Sequence, residues 1–325
     1  MKIFLTGSSG FVGSHLLEFL QNQGHQIICH DRANQQRLTQ LQNVTLSKID
    51  LFDEKSLNSE LRGIEVVIHC AALVLPWGKD EDFYRNNVLM TKSILACAEQ
   101  AGVRQFIYLS CASVALNQRQ ALFNMNETLA YTTLEGLPYA KSKGMAEQLV
   151  LDAGKGSLQT IALRPSFIWG HGDVIDRQIG DAAQKGKFGW FNQGNYLFST
   201  CYIENLKEAV SKALQSDQTG EAYFISDGQA LTFRAFMEKR LQIGQYPIPS
   251  LSLPIWLAWA LARFTENGWK YLPLPGSPPI TREMVRLTGY PFTVSISKAA
   301  LQLAYQPKYS VSQALEHLSG LLPKP

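Results

Sequence analysis

Short apolar runs alternate with helical patterning through the first two thirds of the chain. The runs "KIFLT" (2–6), "HQIICH" (25–30), "VTLSKI" (44–49), "IEVVIHCAA" (64–72), "QFIYLS" (105–110) and "LQTIALRP" (158–165) are largely apolar without strict alternation. Strands apolar on both sides are buried on both faces, as in a parallel sheet covered by helices. Between the runs, apolar residues recur at helical spacing over about 11–23, 82–101 and 139–152. The pattern predicts an α/β fold built on a doubly wound parallel sheet.

After "RPSFIWGHGD" (164–173) the rhythm breaks, and glycine and aromatic residues dominate "KGKFGWFNQGNYLF" (185–198). A further helix, "CYIENLKEAVSKAL", and a strand, "EAYFIS", follow before a proline-punctuated final hundred residues. The reading is two units. A sheet unit spans 1–170 plus about 203–226, and a smaller, mostly helical lobe spans about 171–202 and 227–325.

The first strand runs straight into "TGSSGFVGSHL", with glycines at 7, 10 and 13 where a helix opens. Gly7 permits a tight turn, Gly10 lets the backbone approach a pyrophosphate, and Gly13 lets the helix lie close on the sheet. The helix N-terminus adds N–H donors and partial positive charge. Gly7, Ser9, Gly10, Phe11, Val12 and Gly13 are therefore candidate dinucleotide contacts. At the end of the second strand, Asp31 is placed to accept from the adenosine ribose hydroxyls, which favours NAD; Arg32 beside it would suit a 2′-phosphate, which keeps NADP open. Asp50 and Leu51 close the third strand and are placed at the adenine edge.

Tyr139 and Lys143 stand four apart in "LPYAKSKGMAEQLV", on one face of a helix. Alone, such a pair means almost nothing. After the fifth strand of a nucleotide-binding sheet it borders the cofactor, and its chemistry becomes specific. Hydride transfer to a carbonyl needs a proton for the oxygen, and a phenol with an ordinary pKa near 10 becomes a better base beside an ammonium.

Together these segments resemble the extended short-chain dehydrogenase/reductase superfamily, whose dinucleotide-binding domain is Rossmann-type. The matching elements are "TGSSGFVG", Asp31, Asp50, "HCAA" (69–72), "NNV" (86–88), "LSCASV" (109–114), Tyr139 with Lys143, and "LRPSFIWG" (163–170), collinear over about the first 230 residues. Within it the chain looks most like the 3β-hydroxysteroid dehydrogenase group, which includes decarboxylating sterol-4-carboxylate dehydrogenases. The cues are "SCASV", the helix "PIWLAWALARF" and the tail "PFTVSISKAALQLAYQPKYSVSQAL". The resemblance implies a tyrosine proton donor or acceptor, a lysine partner, a serine or threonine orienting the substrate oxygen, and a nicotinamide cofactor. It also implies that Ala71 and Ala72 border the cofactor, that Asn87 supports the site, and that Pro165, Phe167 and Ile168 line the nicotinamide pocket. A homodimer formed through the helices after strands four and five is implied as well.

One position departs from that pattern. Aligned on Val114, the family's catalytic hydroxyl falls on Cys111, and a thiol is a weaker hydrogen-bond donor than a hydroxyl. Three readings stand: Ser110 or Ser113 replaces the hydroxyl, Cys111 serves in its place, or the activity is weak or unusual. Donor strength makes Ser110 or Ser113 the expected supplier.

Composition narrows the partners. With 30 Lys and Arg against 27 Asp and Glu and no basic cluster, the chain lacks the footprint of a nucleic-acid binder. Five widely spaced cysteines without a CxxC suit reduced thiols and a cytoplasmic setting, and offer no metal site. The apolar stretch 251–264, "LSLPIWLAWALARF", is too short to span a bilayer, and reads as a buried helix, the wall of an apolar substrate pocket, or a peripheral membrane contact. The expected function is thus an NAD(P)-dependent oxidoreductase for a secondary alcohol or ketone on an apolar, sterol-like or long-chain β-keto acyl substrate. A nucleotide-sugar epimerase or dehydratase is the alternative, with Arg177, Lys185 and Lys187 as diphosphate ligands. A non-catalytic NAD(P)-binding regulator is the third, opposed by the retained Tyr139 and Lys143.

Overall fold

The computed structural model describes residues 1–31, 42–272 and 274–321. Seven parallel strands form the central sheet: β1 (Lys2–Thr6), β2 (Gln26–His30), β3 (Val44–Ser47), β4 (Val66–His69), β5 (Gln105–Leu109), β6 (Gln159–Pro165) and β7 (Glu221–Ile225). Their spatial order is β7-β6-β5-β4-β1-β2-β3, so the winding reverses between β1 and β4. Ligands of such sheets bind at that reversal, outside the carboxyl ends of the strands. Register sets Thr6 opposite both His30 and His69 there.

Alternate residues of each strand feed opposite layers. Ile3, Leu5 and Ile68 pack with Leu16 and Leu20 of α1 (Phe11–Asn22) and Leu206 and Val210 of α4 (Ile203–Leu214). Phe4, Val67 and Phe106 pack with Ile94 and Ala98 of α2 (Met90–Gln100) and Ala146 and Val150 of α3 (Pro138–Ala153). A buried ion pair fixes α3 to the sheet: Glu147 takes Nε of Arg164, on β6, at 2.9 and 3.1 Å and also the Tyr131 hydroxyl at 2.7 Å.

The single helix expected over 82–101 comes in three parts. A short α turn, Asp80–Phe83, leads into a π segment, Tyr84–Leu89, and then α2. A π turn is wider than an α turn and is frequent at functional sites; here it carries Asn87.

The lobe contains α5 (Phe233–Ile243), α6 (Ile255–Tyr271) and α7 (Arg282–Gly289) beside a small sheet ordered Leu231–Thr232, Leu197–Phe198, Phe292–Val294, Leu122–Met125. The last strand falls within the 1–170 expected for the sheet unit, yet pairs in parallel with Phe292–Val294 of the lobe. The stretch 251–264 supplies much of α6, which buries Ala258, Ala262 and Glu266 and exposes Trp256 (70%) and Phe264 (77%). Among the described residues no helix is long and apolar enough to cross a membrane.

Candidate active site

A cleft of about 670 Å³ opens at the carboxyl ends of β1, β4 and β5. Its floor is the glycine turn. Gly7 has φ +74°, and a Cβ there would lie 2.7 Å from the Ala71 nitrogen; a Cβ on Gly13 would lie 2.0 Å from the Gly7 carbonyl oxygen. Both positions thus require glycine, as the turn reading expects. Gly10 is the N-cap of α1 and has no side chain to occupy the exposed N–H groups of the first turn. Ser9 donates its N–H, and Ser8 its hydroxyl, to Asp31 at the end of β2.

The structure brings most of the expected cofactor residues to this cleft. Gly7, Ser9, Gly10, Phe11, Val12, Gly13, Asp31, Leu51, Ala71, Ala72 and Ile168 line it, with Ser110, Tyr139 and Lys143. Asp50 lines an adjoining hollow that shares His30, Leu51, Asn86 and Met90 with the cleft. Arg32 lies outside the described residues. Pro165 and Phe167 are not on the cleft wall; Phe167 stacks edge-on with Phe198 and Phe236 behind it.

Asn87 is also off the wall, buried one layer behind. Its Oδ1 accepts the Leu73 N–H at 2.7 Å, while its Nδ2 donates to the Leu73 carbonyl at 3.2 Å and to the Ser142 hydroxyl at 2.9 Å. Ser142 in turn donates to the Tyr139 carbonyl at 2.9 Å. The π turn therefore ties the wall after β4 to the helix that carries Tyr139.

A second network, not expected from sequence, runs through His69. Thr91 donates its hydroxyl to the Asn87 carbonyl, so its oxygen accepts Nε2–H of His69 at 2.9 Å, and Nδ1 of His69 accepts from Thr6 at 2.7 Å. Thr6 also takes the Ala71 N–H at 3.1 Å. Burial lowers the His69 pKa to about 3, so the ring is neutral and serves as a hydrogen-bonded brace. Its signal was the "HCAA" motif, which marks the segment without revealing the brace.

At the cleft's inner end, Lys143 is buried, donates to the Leu109 carbonyl at 2.5 Å and lies 4.0 Å from the centre of the Tyr108 ring. Burial lowers its pKa to about 8. The Cys111 sulfur sits 2.9 Å from the Ser113 hydroxyl and shares a hydrogen bond with the Tyr139 phenol. The thiol, rather than a serine, is thus the group beside Tyr139. Ser113 stands behind it, and the Ser110 hydroxyl is buried on the wall without a hydrogen-bond partner among the described residues. Backbone explains the difference: Cys111 is extended (φ −158°, ψ 156°), while Ser113 is inside the 3₁₀ turn Ala112–Ala115.

Burial pushes the Tyr139 phenol well above its ordinary pKa, and the neighbouring Cys111 pushes the same way. Lys143 was expected to lower it; in this arrangement burial wins. A phenol held protonated is a proton donor, which suits reduction of a carbonyl.

A family model described as "3-beta hydroxysteroid dehydrogenase/isomerase family" matches residues 4–254. The chain belongs to the 3-beta hydroxysteroid dehydrogenase/isomerase family. Among curated members and relatives, it is 30% identical to a 2-alkyl-3-oxoalkanoate reductase of Stenotrophomonas maltophilia, over 98% of this chain and 99% of that one. It is 31% identical to a 3 beta-hydroxysteroid dehydrogenase/Delta 5-->4-isomerase of Mycobacterium tuberculosis, over 97% and 88% of the two chains. In fold this family member is similar to UDP-glucuronic acid 4-epimerase from Bacillus cereus, with a TM-score of 0.75 at 22% identity over 98% of this chain and 96% of that one. That likeness is one of architecture. Among the described residues lining the cleft of this hydroxysteroid dehydrogenase-family protein, Lys143 is the only lysine or arginine, and the exposed Lys185 and Lys187 stand elsewhere.

Proposed function

We propose that the protein is an NAD-dependent oxidoreductase that interconverts a ketone and a secondary alcohol on an apolar substrate, with long-chain 3-oxo acids and 3β-hydroxysteroids as the classes to test. The observation that carries this reading is the meeting of Tyr139, Lys143 and Cys111 at the inner end of a cleft floored by the glycine turn. The cleft fits a dinucleotide: Gly7, Gly10 and Gly13 with the N-terminus of α1 would hold the pyrophosphate, and Asp31 the adenosine ribose.

The bound cofactor supplies or accepts the hydride. The chain's own residues handle the proton and the orientation. Tyr139, kept protonated by burial, gives its phenolic proton to the substrate oxygen as that oxygen gains charge. Cys111 donates weakly to the same oxygen, and Ser113 orients the thiol. Lys143, charged below about pH 8, stabilises the phenolate left on Tyr139 until that proton is replaced and would hold the nicotinamide ribose. Leu73, Val74, Ile168 and Val174 supply an apolar wall for the substrate.

The reading includes a cytoplasmic homodimer joined through α2 and α3, supported by the exposed Leu89, which closes the π segment leading into α2, and Met145 on α3, and a peripheral membrane contact through α6, supported by exposed Trp256 and Phe264. Turnover is measured with NADH or NADPH and 2-alkyl-3-oxo acids, with NAD and 3β-hydroxysteroids, and with UDP-sugars. Oxidation or reduction of an apolar panel member is expected, with NAD(H) the better cofactor. Turnover confined to UDP-sugars would overturn the proposal.

A further inference from the structure

The helix that carries Tyr139 begins without a cap of its own. Leu137, its N-cap, makes no side-chain capping bond, and Pro138 at N1 has no N–H. Lys141 N–H reaches back to the Leu137 carbonyl. That leaves the N–H groups of Tyr139 and Ala140 as the donors of the first turn. Both go to one carboxyl group, that of Glu283 on α7, with the Tyr139 nitrogen 3.3 Å from its Oε2. Glu283 is 1% exposed, and its other oxygen, Oε1, has no hydrogen-bond partner among the described residues.

We propose that Glu283 is a positioning residue for the hydride-transfer reaction, the link through which the substrate lobe holds Tyr139 at the cleft. This inference rests on the role given to Tyr139 above. The carboxyl does for α3 what a local capping side chain does elsewhere, but from a different unit of the fold. Because α7 packs against both α3 and α6, a displacement of the lobe moves the first turn of α3 and with it the phenol.

The groups facing Glu283 are few. From α3 come the two N–H groups and the Tyr139 phenol, from α6 comes Glu266, and Glu266 is itself taken up by Arg282. The guanidinium of Arg286, one turn along α7, faces the Tyr290 ring at 5.2 Å instead. Burial raises the Glu283 pKa to about 8, so at neutral pH the group caps α3 largely as a neutral acid. A glutamine, with the same shape and a carbonyl acceptor, can replace it.

The test compares Glu283→Gln with Glu283→Met in the full-length protein. The Met variant is expected to lose tenfold or more in kcat with little change in NADH affinity measured by fluorescence titration. The Gln variant is expected to recover to within about threefold. Amide hydrogen exchange at Tyr139 and Ala140 should accelerate in the Met variant and stay protected in the Gln variant, a readout that needs no substrate. It therefore separates failure of this inference from failure of the proposed reaction. Between pH 6.5 and 8 the wild-type Tm should fall with rising pH while that of Glu283→Gln stays flatter, and this measurement decides if the Met variant does not fold. Protected amides and unchanged kcat in the Met variant, equal losses in both variants, or the same Tm slope in wild type and Gln variant would overturn the proposal.

Discussion

Cys111→Ser is the most informative single change in the cleft. The sulfur touches Ser113 at 2.9 Å and bonds to Tyr139, the place the proposed reaction gives to the substrate oxygen's second donor. A thiol gives a poor hydrogen bond, while a hydroxyl to a group gaining negative charge gives one worth about 1.5–3 kcal/mol. If the thiol supplies about 0.5 kcal/mol of this, the exchange gains about 1–2.5 kcal/mol at the transition state. At about 1.36 kcal/mol per tenfold, kcat should rise about 5- to 70-fold. Cys111→Ala should lose only about twofold, and Ser110→Ala should change little, because its hydroxyl has no hydrogen-bond partner among the described residues. The assay is NADH oxidation at saturating ketone, with NADH affinity measured separately so that a change in binding is not read as chemistry. An unchanged or slower Cys111→Ser enzyme, together with a hundredfold loss in Ser110→Ala or Ser113→Ala, would refute the reasoning and return the role to a serine.

Three further outcomes follow from the geometry. Gly13→Ala puts a Cβ 2.0 Å from the Gly7 carbonyl oxygen; the turn must move, and a thermal melt should show a lower Tm with NADH affinity reduced at least tenfold. Arg286 is 0% exposed and none of its three guanidinium nitrogens has a hydrogen-bond partner among the described residues, so Arg286→Met should raise stability by about 1–4 kcal/mol in urea unfolding; a clear loss would show that its contact with the Tyr290 ring outweighs the cost of burying the charge. Lys143 loses its proton at about pH 8, so the rate of reduction should fall as pH passes that value, and Lys143→Met should abolish the step in a pH–rate profile.

The sheet was legible because each of its first six strands is an apolar run closed by a turn, and the glycine turn because three glycines stand where β1 meets α1. Tyr139 and Lys143 became readable through position alone, since helix spacing puts them on one face and β5 puts that face at the cleft. Other features left no such trace. Glu283 reaches Tyr139 across 144 positions, and no periodicity encodes a contact of that range. That Asn87 supports the site came from resemblance alone; that it does so through Leu73 and Ser142, from the π turn behind the wall, did not. Donor strength points to a serine beside Tyr139; the structure puts the Cys111 thiol there, with Ser113 inside the following turn, and local conformation of that kind is not written in residue type.

The strand Leu122–Met125 carries a consequence for synthesis. Its partner, Phe292–Val294, leaves the ribosome about 170 residues later, so the short edge waits unpaired while most of the chain is made. The lobe sheet is therefore among the last parts to close, and its closure is a slow, non-local event. The region matched to the family ends at residue 254, before that partner begins. A polypeptide cut at that point keeps the glycine turn and the Tyr139 helix but leaves the edge open and Tyr139's helix uncapped, a combination that favours aggregation in the cell over a shortened, working enzyme.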